Sequence, residues 1–289
     1  MPRWTGGSED TVKIDPRKCV ACGNCVAVCP MGAIRIDRGV NRARIDADEC
    51  VECYTCYRGM SMEHLNPTLV RAVRATLRVF RLRFDPEPDI CPTSAIVPDE
   101  LQWPRTVRRA FSDVTATHES TGVHGRGTEE VKTNDVTGRV GPGDVGFTVE
   151  LGRPGVGVRF TDVQKVAQAL AGTPARFEDR NPITTLMTDR ERGLLNPDVL
   201  GEKVMSCIIE VATTATAAPE VLEVLRDVAR RIDTVMAIGV ALRCDDRGAD
   251  EIERILAGTD YDVIWAKTNV GLGRANPARV PRSTQEAHA

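Results

Sequence analysis

Eight of the ten cysteines of this 289-residue chain fall into two related runs. The first is CVACGNCVAVCP, in which Cys19, Cys22, Cys25 and Cys29 are followed by Pro30. The second is CVECYTC, with Cys50, Cys53 and Cys56, and its matching Cys91-Pro92 comes only after a long interval. Three thiolates at C-x-x-C-x-x-C spacing wrap one corner of space and leave backbone N–H groups to bond inorganic sulfide; a fourth thiolate must come from elsewhere. Two such runs with two Cys-Pro pairs make the ligand set of two [4Fe-4S] clusters. Structural zinc also takes four ligands per site, but through paired C-x-x-C knuckles, and a triple repeat closed by Cys-Pro is not that pattern. Disulfide frameworks belong to small secreted chains. This chain is long and opens on the polar MPRWTGGSED without an apolar signal segment, so the expected location is the reducing cytoplasm.

Residues 11 to 98 resemble bacterial two-[4Fe-4S] ferredoxins. KIDPRKCVACGNCVAVCPMGAIRID carries the first half, and ARIDADECVECYTC with CPTSAIV the second. Each half reads as a short strand before the cysteines (Val12 to Ile14; Arg44 to Ile45), a cluster loop, and a short strand after Cys-Pro (Ala33 to Ile36; Ala95 to Val97). The resemblance implies that the last cysteine of each run ligates the cluster of the other run. Cys19, Cys22, Cys25 and Cys91 then hold one cluster, and Cys50, Cys53, Cys56 and Cys29 the second. It also implies single-electron transfer between soluble partners or enzyme subunits.

The family spaces the third and fourth cysteines of its second run by three residues, whereas Tyr57 to Ile90 intervene here. Asn66 before Pro67 reads as an N-cap with proline in the first helical turn. The following helix sets Arg71, Arg74, Arg78 and Arg81 at helical spacing, with Val70, Val73, Leu77, Phe80 and Phe84 opposite. Such a stripe is a solvated face, or it docks an acidic partner or a cofactor phosphate. Its position in sequence sets it beside the Cys50, Cys53 and Cys56 run.

With 42% hydrophobic residues the chain can bury a core in about two domains. It holds no apolar run near the roughly twenty residues of a membrane span. A net charge of −3 argues against nucleic acid as a partner. The expected class is α+β. A ferredoxin domain spans 1–98 with a helical insertion at 57–90, and a Gly/Thr-rich, mostly irregular connection at 99–144 carries Trp103 and Phe111 as anchors. A ferredoxin-like α/β sandwich at 145–275 and a polar tail at 276–289 follow.

The sandwich rests on strands alternating with helices of about a dozen residues. DVGFTVELG reads as a strand and TDVQKVAQALAG as a helix with Thr161 or Asp162 near its N-cap; ARFED is a short strand. After an irregular NPITTLMTDRERGLLNP come a long strand (EKVMSCIIEVATT), a helix (PEVLEVLRDVARRI), a strand (TVMAIGVALRC), a helix (ADEIERILAG) and a last strand (YDVIWAKTNV).

KTNDVTGR (Lys132 to Arg139) is echoed by KTNVGLGR (Lys267 to Arg274). Turn chemistry accounts for the shared Asn and Gly, and the functional reading is a common anion pocket. GRPGVG (Gly152 to Gly157) lacks the spacing of a dinucleotide fingerprint. His118 and His124, with Lys132, are the candidate catalytic groups, set in a polar loop that matches no metal motif. Cys207 and Cys244, inside expected strands, read as buried small hydrophobes. The stretch from TGVHGRGTEEVKTNDVTGRVGPGDVGFTVELGRPGVG through NPITTLMTD to KTNVGLGR is similar to 6-hydroxynicotinate reductase-like iron-sulfur proteins. That resemblance implies reduction of an N-heteroaromatic ring; longer members of the family carry flavin-associated sequence, and no flavin motif stands out here. Two readings follow: an electron-transfer component serving a catalytic partner that holds any flavin, or a ring reductase.

Overall fold

The computed structural model describes residues 11–60, 64–82, 89–122, 124, 139–243, 251–257, 259 and 261. The chain divides into two compact units, Met1–Ala116 with Glu202–Met205, and Thr117–Gly201 with Ser206–Ala289. Lys132, Lys267, Arg274, Phe84, Cys244 and nearly all of the expected last strand lie outside the described residues.

In the first unit, β1 (Lys13–Ile14) is followed by α1 (Asn24–Val28), β2 (Ile34–Asp37), β3 (Arg42–Ile45), α2 (Thr55–Arg58), α3 (Pro67–Val79), β4 (Ile96–Val97) and α4 (Thr106–Ser112). The first strand of one half pairs with the last strand of the other: β1 with β4 in register Lys13↔Val97, and β2 with β3 in register Ile34↔Ile45, both antiparallel. These strands are too short to be stable as free hairpins. They close over a shared apolar core of Val12, Ile34, Ala43, Tyr54, Ala95 and Ile96 that also contains cysteines of both runs.

The excursion between Cys56 and Cys91 leaves and returns at one place. A Cβ on Gly59 would stand 1.9 Å from Ile90 Cδ1, so glycine is what lets the returning strand of chain pack against the departing one. The Leu65 N–H donates to Pro92 O at 2.8 Å and Asn24 Nδ2 to Asp89 O at 2.9 Å, tying both ends down. Helix α3 starts where the sequence sets it: the Asn66 side chain accepts from the Thr68 and Leu69 N–H groups at 2.9 and 3.2 Å, with Pro67 at the first helical position. Asn66→Ala should cost this helix about 1 kcal/mol, seen as an approximately fivefold loss of hydrogen-exchange protection across its amides; unchanged protection would show that packing alone holds α3.

In the second unit, β5 (Asp144–Leu151) leads to α5 (Phe160–Ala171), β6 (Arg176–Phe177), α6 (Pro182–Thr185), the hairpin β7 (Met187–Asp189) and β8 (Leu194–Leu195), β9 (Cys207–Thr214), α7 (Ala218–Ala229), β10 (Met236–Leu242) and α8 (Ile252–Leu256). The four longer-range strands form one antiparallel sheet in the order β10-β5-β9-β6. The register pairs apolar residues: Val145, Phe147, Val149 and Leu151 are all buried, and Phe147↔Val211 and Val149↔Ile209 are partners across β5 and β9. Helices α5 and α7 pack together, and Phe160, Leu170, Leu222 and Leu225 are fully buried.

Several elements differ from expectation, each for a physical reason. Helix α5 begins at Phe160, with Arg159 as N-cap, because burial of Phe160 draws the helix start ahead of Thr161 and Asp162. The long strand expected over 202–214 starts at Cys207, since Glu202–Met205 belongs to the first unit: Glu202 pairs with Arg108, Lys203 with Glu49, and the Met205 N–H donates to Ser112 Oγ at 2.9 Å. The stretch Asn181–Pro197, expected as irregular, carries α6 and the β7–β8 hairpin. Asn181 caps α6 through the Ile183 N–H at 2.8 Å, and the hairpin turn at Gly193 (φ +64) lies where a Cβ would meet the Ala167 backbone at 2.4 Å. Residues 99–144, expected as mostly irregular, contain α4, whose Phe111 is buried; Trp103 is half exposed.

Candidate metal centres

The two cysteine loops have the same backbone. Ala21 and Gly23 in the first run, and Glu52 and Tyr54 at the matching places in the second, all take left-handed φ, at 54°, 91°, 55° and 54°. Alternating handedness turns successive N–H groups toward one side of the loop and makes an anion nest, which suits thiolates and inorganic sulfide. Non-glycine residues adopt φ > 0 at some cost, and three of the four do so here.

Each loop borders a recess. Cys19, Cys22, Cys25 and Cys91 line one, with about 300 Å³ of unfilled space that includes its open mouth; Ile14, Ile36, Ile90 and Ile96 supply apolar walls. Cys29, Cys50, Cys53 and Cys56 line the other, with about 360 Å³, walled by Val12, Ile34, Ile45 and Tyr54. Backbone N–H groups reach two of the sulfurs: Ala43 to Cys19 Sγ at 3.3 Å and Ala95 to Cys91 Sγ at 3.0 Å. None of these cysteines is disulfide-bonded. Burial pushes the Cys25, Cys50 and Cys56 thiols up to about 12, and neighbouring thiols add to this for Cys25 and Cys56, as the Glu52 carboxylate does for Cys50. The thiols are therefore neutral at pH 7 until a metal cation displaces the proton.

Arginines brace both loops from outside. Sequence position sets α3 beside the second run, but its arginines bond the first: Arg71 Nη2 donates to the carbonyls of Arg17, Cys19 (3.1 Å) and Pro16 (3.4 Å), and Arg74 Nη2 to Ala21 O at 3.3 Å. Both are half-buried, whereas Arg78 and Arg81 are exposed. On the hydrophobic side Val70 is buried, Val73 and Leu77 are half-buried, and Phe80 is exposed.

The second loop is braced by residues that its motif does not single out. Glu52 is fully buried. Its carboxylate accepts from Thr11 Oγ1 at 2.6 Å and from Arg105 Nη2 and Nε at 2.7 and 3.0 Å. Arg108 Nη1 donates to the carbonyls of Ala47, Asp48 and Cys50 at 3.1, 2.8 and 2.8 Å while its Nε binds Glu202. Arg109 lies 4.8 Å from the centre of the Tyr54 ring and pairs with Asp113 at 3.2 Å; Arg58 pairs with the same carboxylate. Burial alone would raise the Asp113 carboxyl, but hydrogen bonds from the Thr115 N–H and hydroxyl, with Arg109 and Arg58 alongside, hold it below the usual carboxylate value. One signal for this cluster was present in the sequence: Glu52 is a charge inside an apolar cysteine loop, and such a charge needs a partner when buried.

The other candidates lie in the second unit. His118 is buried, and His124 is exposed with Nδ1 3.5 Å from Thr117 Oγ1. Cys207 is buried in β9. GRPGVG forms a turn.

Residues 11–59 match the family model described as a 4Fe-4S dicluster domain. Ferredoxin-1 of Rhodobacter capsulatus is 50% identical over 42 residues, covering 14% of this chain and 62% of that protein. The pyruvate synthase subunit PorD of Methanocaldococcus jannaschii is 46% identical over 43 residues, 15% of this chain and 49% of PorD. A ferredoxin-like protein in vnf region of Azotobacter chroococcum mcd 1 is 48% identical over 40 residues, 14% and 58% of the respective chains. The chain thus spans between 49% and 62% of the length of these relatives. No solved structure matches it. Among the described residues no helix is long and apolar enough to cross a membrane. The N-terminal segment of this chain is of the two-[4Fe-4S] ferredoxin type.

Proposed function

We propose that this protein is an electron-transfer component that carries two [4Fe-4S] clusters, one held by Cys19, Cys22, Cys25 and Cys91 and the other by Cys50, Cys53, Cys56 and Cys29, and that it passes single electrons to a partner oxidoreductase. The observation that carries the reading is the gathering of four cysteines at each of two recesses, each set drawing its fourth member from the other run. Two C-x-x-C-x-x-C runs, each with a Cys-Pro, match the ligand pattern of polynuclear iron-sulfur centres and not the paired knuckles of structural zinc.

A bound [4Fe-4S] cluster supplies reversible storage of one electron. The chain's own residues enclose the site, exclude bulk water with the isoleucines and Tyr54, and donate the Ala43 and Ala95 N–H groups to ligand sulfurs, which stabilises added negative charge. The second unit is read as a ferredoxin-like α/β sandwich, supported by its β-α-β-β-α-β order. Its proposed role is to dock the catalytic partner, which holds any flavin. One relative is named a subunit of pyruvate synthase, which supports service within a complex.

The test is anaerobic purification of the tagged chain from its native host, with iron, sulfide, flavin and co-purifying proteins measured on one sample. About eight irons per chain together with a stoichiometric redox subunit is the expected result. The same iron with no partner, and reoxidation of the clusters by an N-heteroaromatic acid, would replace this reading with that of a ring reductase.

A further inference from the structure

We infer that the solvent face and C-terminal tip of α3 form a docking surface for a second redox protein, an acidic one-electron donor that reduces the centre of Cys19, Cys22, Cys25 and Cys91. The inference rests on the electron-transfer reading proposed above, which gives the electrons an acceptor but their source no place on the chain.

A surface helix turns its charged residues to water, and along most of its length α3 does the reverse. Its exposed positions from Thr68 to Thr76 are Thr68, Leu69, Ala72, Ala75 and Thr76, none of them charged, while Arg71 and Arg74 are half-buried and bond the carbonyls of residues 16–21. Leu69, Ala72, Thr76 and Val79 recur at helical spacing and so share one side. The bare face continues past the helix end, where Val79, Phe80 and Leu82 stand in solvent, from 61% of the residue exposed at Leu82 to 79% at Val79. The tip has a defined shape: Arg81 takes the left-handed conformation (φ 56°) at a place where glycine is usual, and the Leu82 N–H donates to Leu77 O at 2.9 Å. A left-handed arginine costs backbone energy, and the turn it closes leaves Phe80, Arg81 and Leu82 all exposed.

An apolar patch rimmed by polar residues marks a binding site, and an interface centre is poor in charge with aromatic and Arg side chains enriched. Arg78 and Arg81 are exposed and form no ion pair among the described residues, so the rim is cationic. That sign selects the occupant. A second copy seated face to face would set arginine against arginine, whereas a protein with carboxylates around an apolar centre complements the patch. Anionic lipid shares the sign, but interfacial helices carry Trp, Phe and Leu where this face carries Ala72, Ala75 and two threonines. Position selects the task. Arg71 and Arg74 fasten the inner side of α3 to the loop of Cys19 and Cys22, and the Leu65 N–H donates to the carbonyl of Pro92, next to Cys91. A protein on the outer side is separated from that loop by a single helix, roughly 10 Å across. One electron then leaves the donor and reduces the cluster, with no bond formed or broken.

The experiment is stopped-flow reduction of the holoprotein by two donors: a reduced flavodoxin, which is small and acidic, and reduced methyl viologen, which needs no docking surface. Wild type is compared with Arg78→Glu/Arg81→Glu and with Leu69→Ser/Val79→Ser, all at full iron content; the four positions are exposed, so folding is spared. Charge reversal should slow reduction by flavodoxin by on the order of tenfold at low salt, with the gap closing as salt rises. The apolar variant should slow it at every salt concentration, and viologen should reduce all three proteins alike. Flavodoxin rates equal to wild type in both variants would overturn the inference. So would a wild-type dimer in sedimentation that Leu69→Ser/Val79→Ser dissolves, which gives the face to a second copy, or sedimentation with phosphatidylserine vesicles lost in the same variant, which gives it to a membrane. A wild type whose visible absorbance viologen does not bleach would instead overturn the cluster reading, so the two failures read differently.

Discussion

Glu52→Gln should destabilise the N-terminal unit by about 3–5 kcal/mol, the usual cost of stranding one member of a buried ion pair. Arg105 would be left with its guanidinium 10% exposed, opposite a group that no longer carries charge. The Thr11 hydroxyl and the Val12 N–H, which both reach the same carboxylate, would lose their ionised acceptor. Because iron-sulfur proteins unfold irreversibly when the cluster is lost, the measurement is the rate of visible-absorbance bleaching in anaerobic urea. The variant should bleach faster than wild type at every concentration, and the double variant Glu52→Met/Arg105→Met, which removes both charges, should recover most of the loss. Bleaching of Glu52→Gln at the wild-type rate would mean that the pair contributes nothing to holding the second loop closed.

Cys91→Ala should halve the iron content, from about eight to about four per chain, and the loss should fall on the first recess. The decisive readout is which thiols become reactive. With Cys91 gone, Cys19, Cys22 and Cys25 should take up iodoacetamide, while Cys50, Cys53, Cys56 and Cys29 stay protected by their cluster. Cys29→Ala should give the reverse pattern. Labelling of Cys50, Cys53 and Cys56 in the Cys91 variant would sink the crossed assignment and replace it with one in which each run closes on itself. The crossing is what links the two halves: Cys91 follows a 34-residue excursion yet lines the recess of the first run, and Cys29 closes the recess of the second.

Much of this was legible one residue at a time. Cysteine spacing alone marks the two loops, because a cubane needs thiolates at fixed intervals and no other common centre uses that pattern. The short strands flanking them, the Asn66-Pro67 start of α3, and the strand DVGFTVELG were equally plain, since capping and strand propensity are local properties. The reach of the arginine helix was not legible. Helical periodicity says which residues share a face but not what that face meets, and only the fold turns Arg71 and Arg74 onto the carbonyls of residues 16–21, more than fifty positions away. The partner of Glu52 was hidden for the same reason: Arg105 lies 53 residues further on, in a stretch whose composition reads as a connection. Sequence by itself determined which thiols are offered as ligands for the proposed clusters, because ligand chemistry is carried by residue type and spacing. Tertiary structure alone decided which charges stand around each one, because electrostatic neighbours are set by closure of the chain in space.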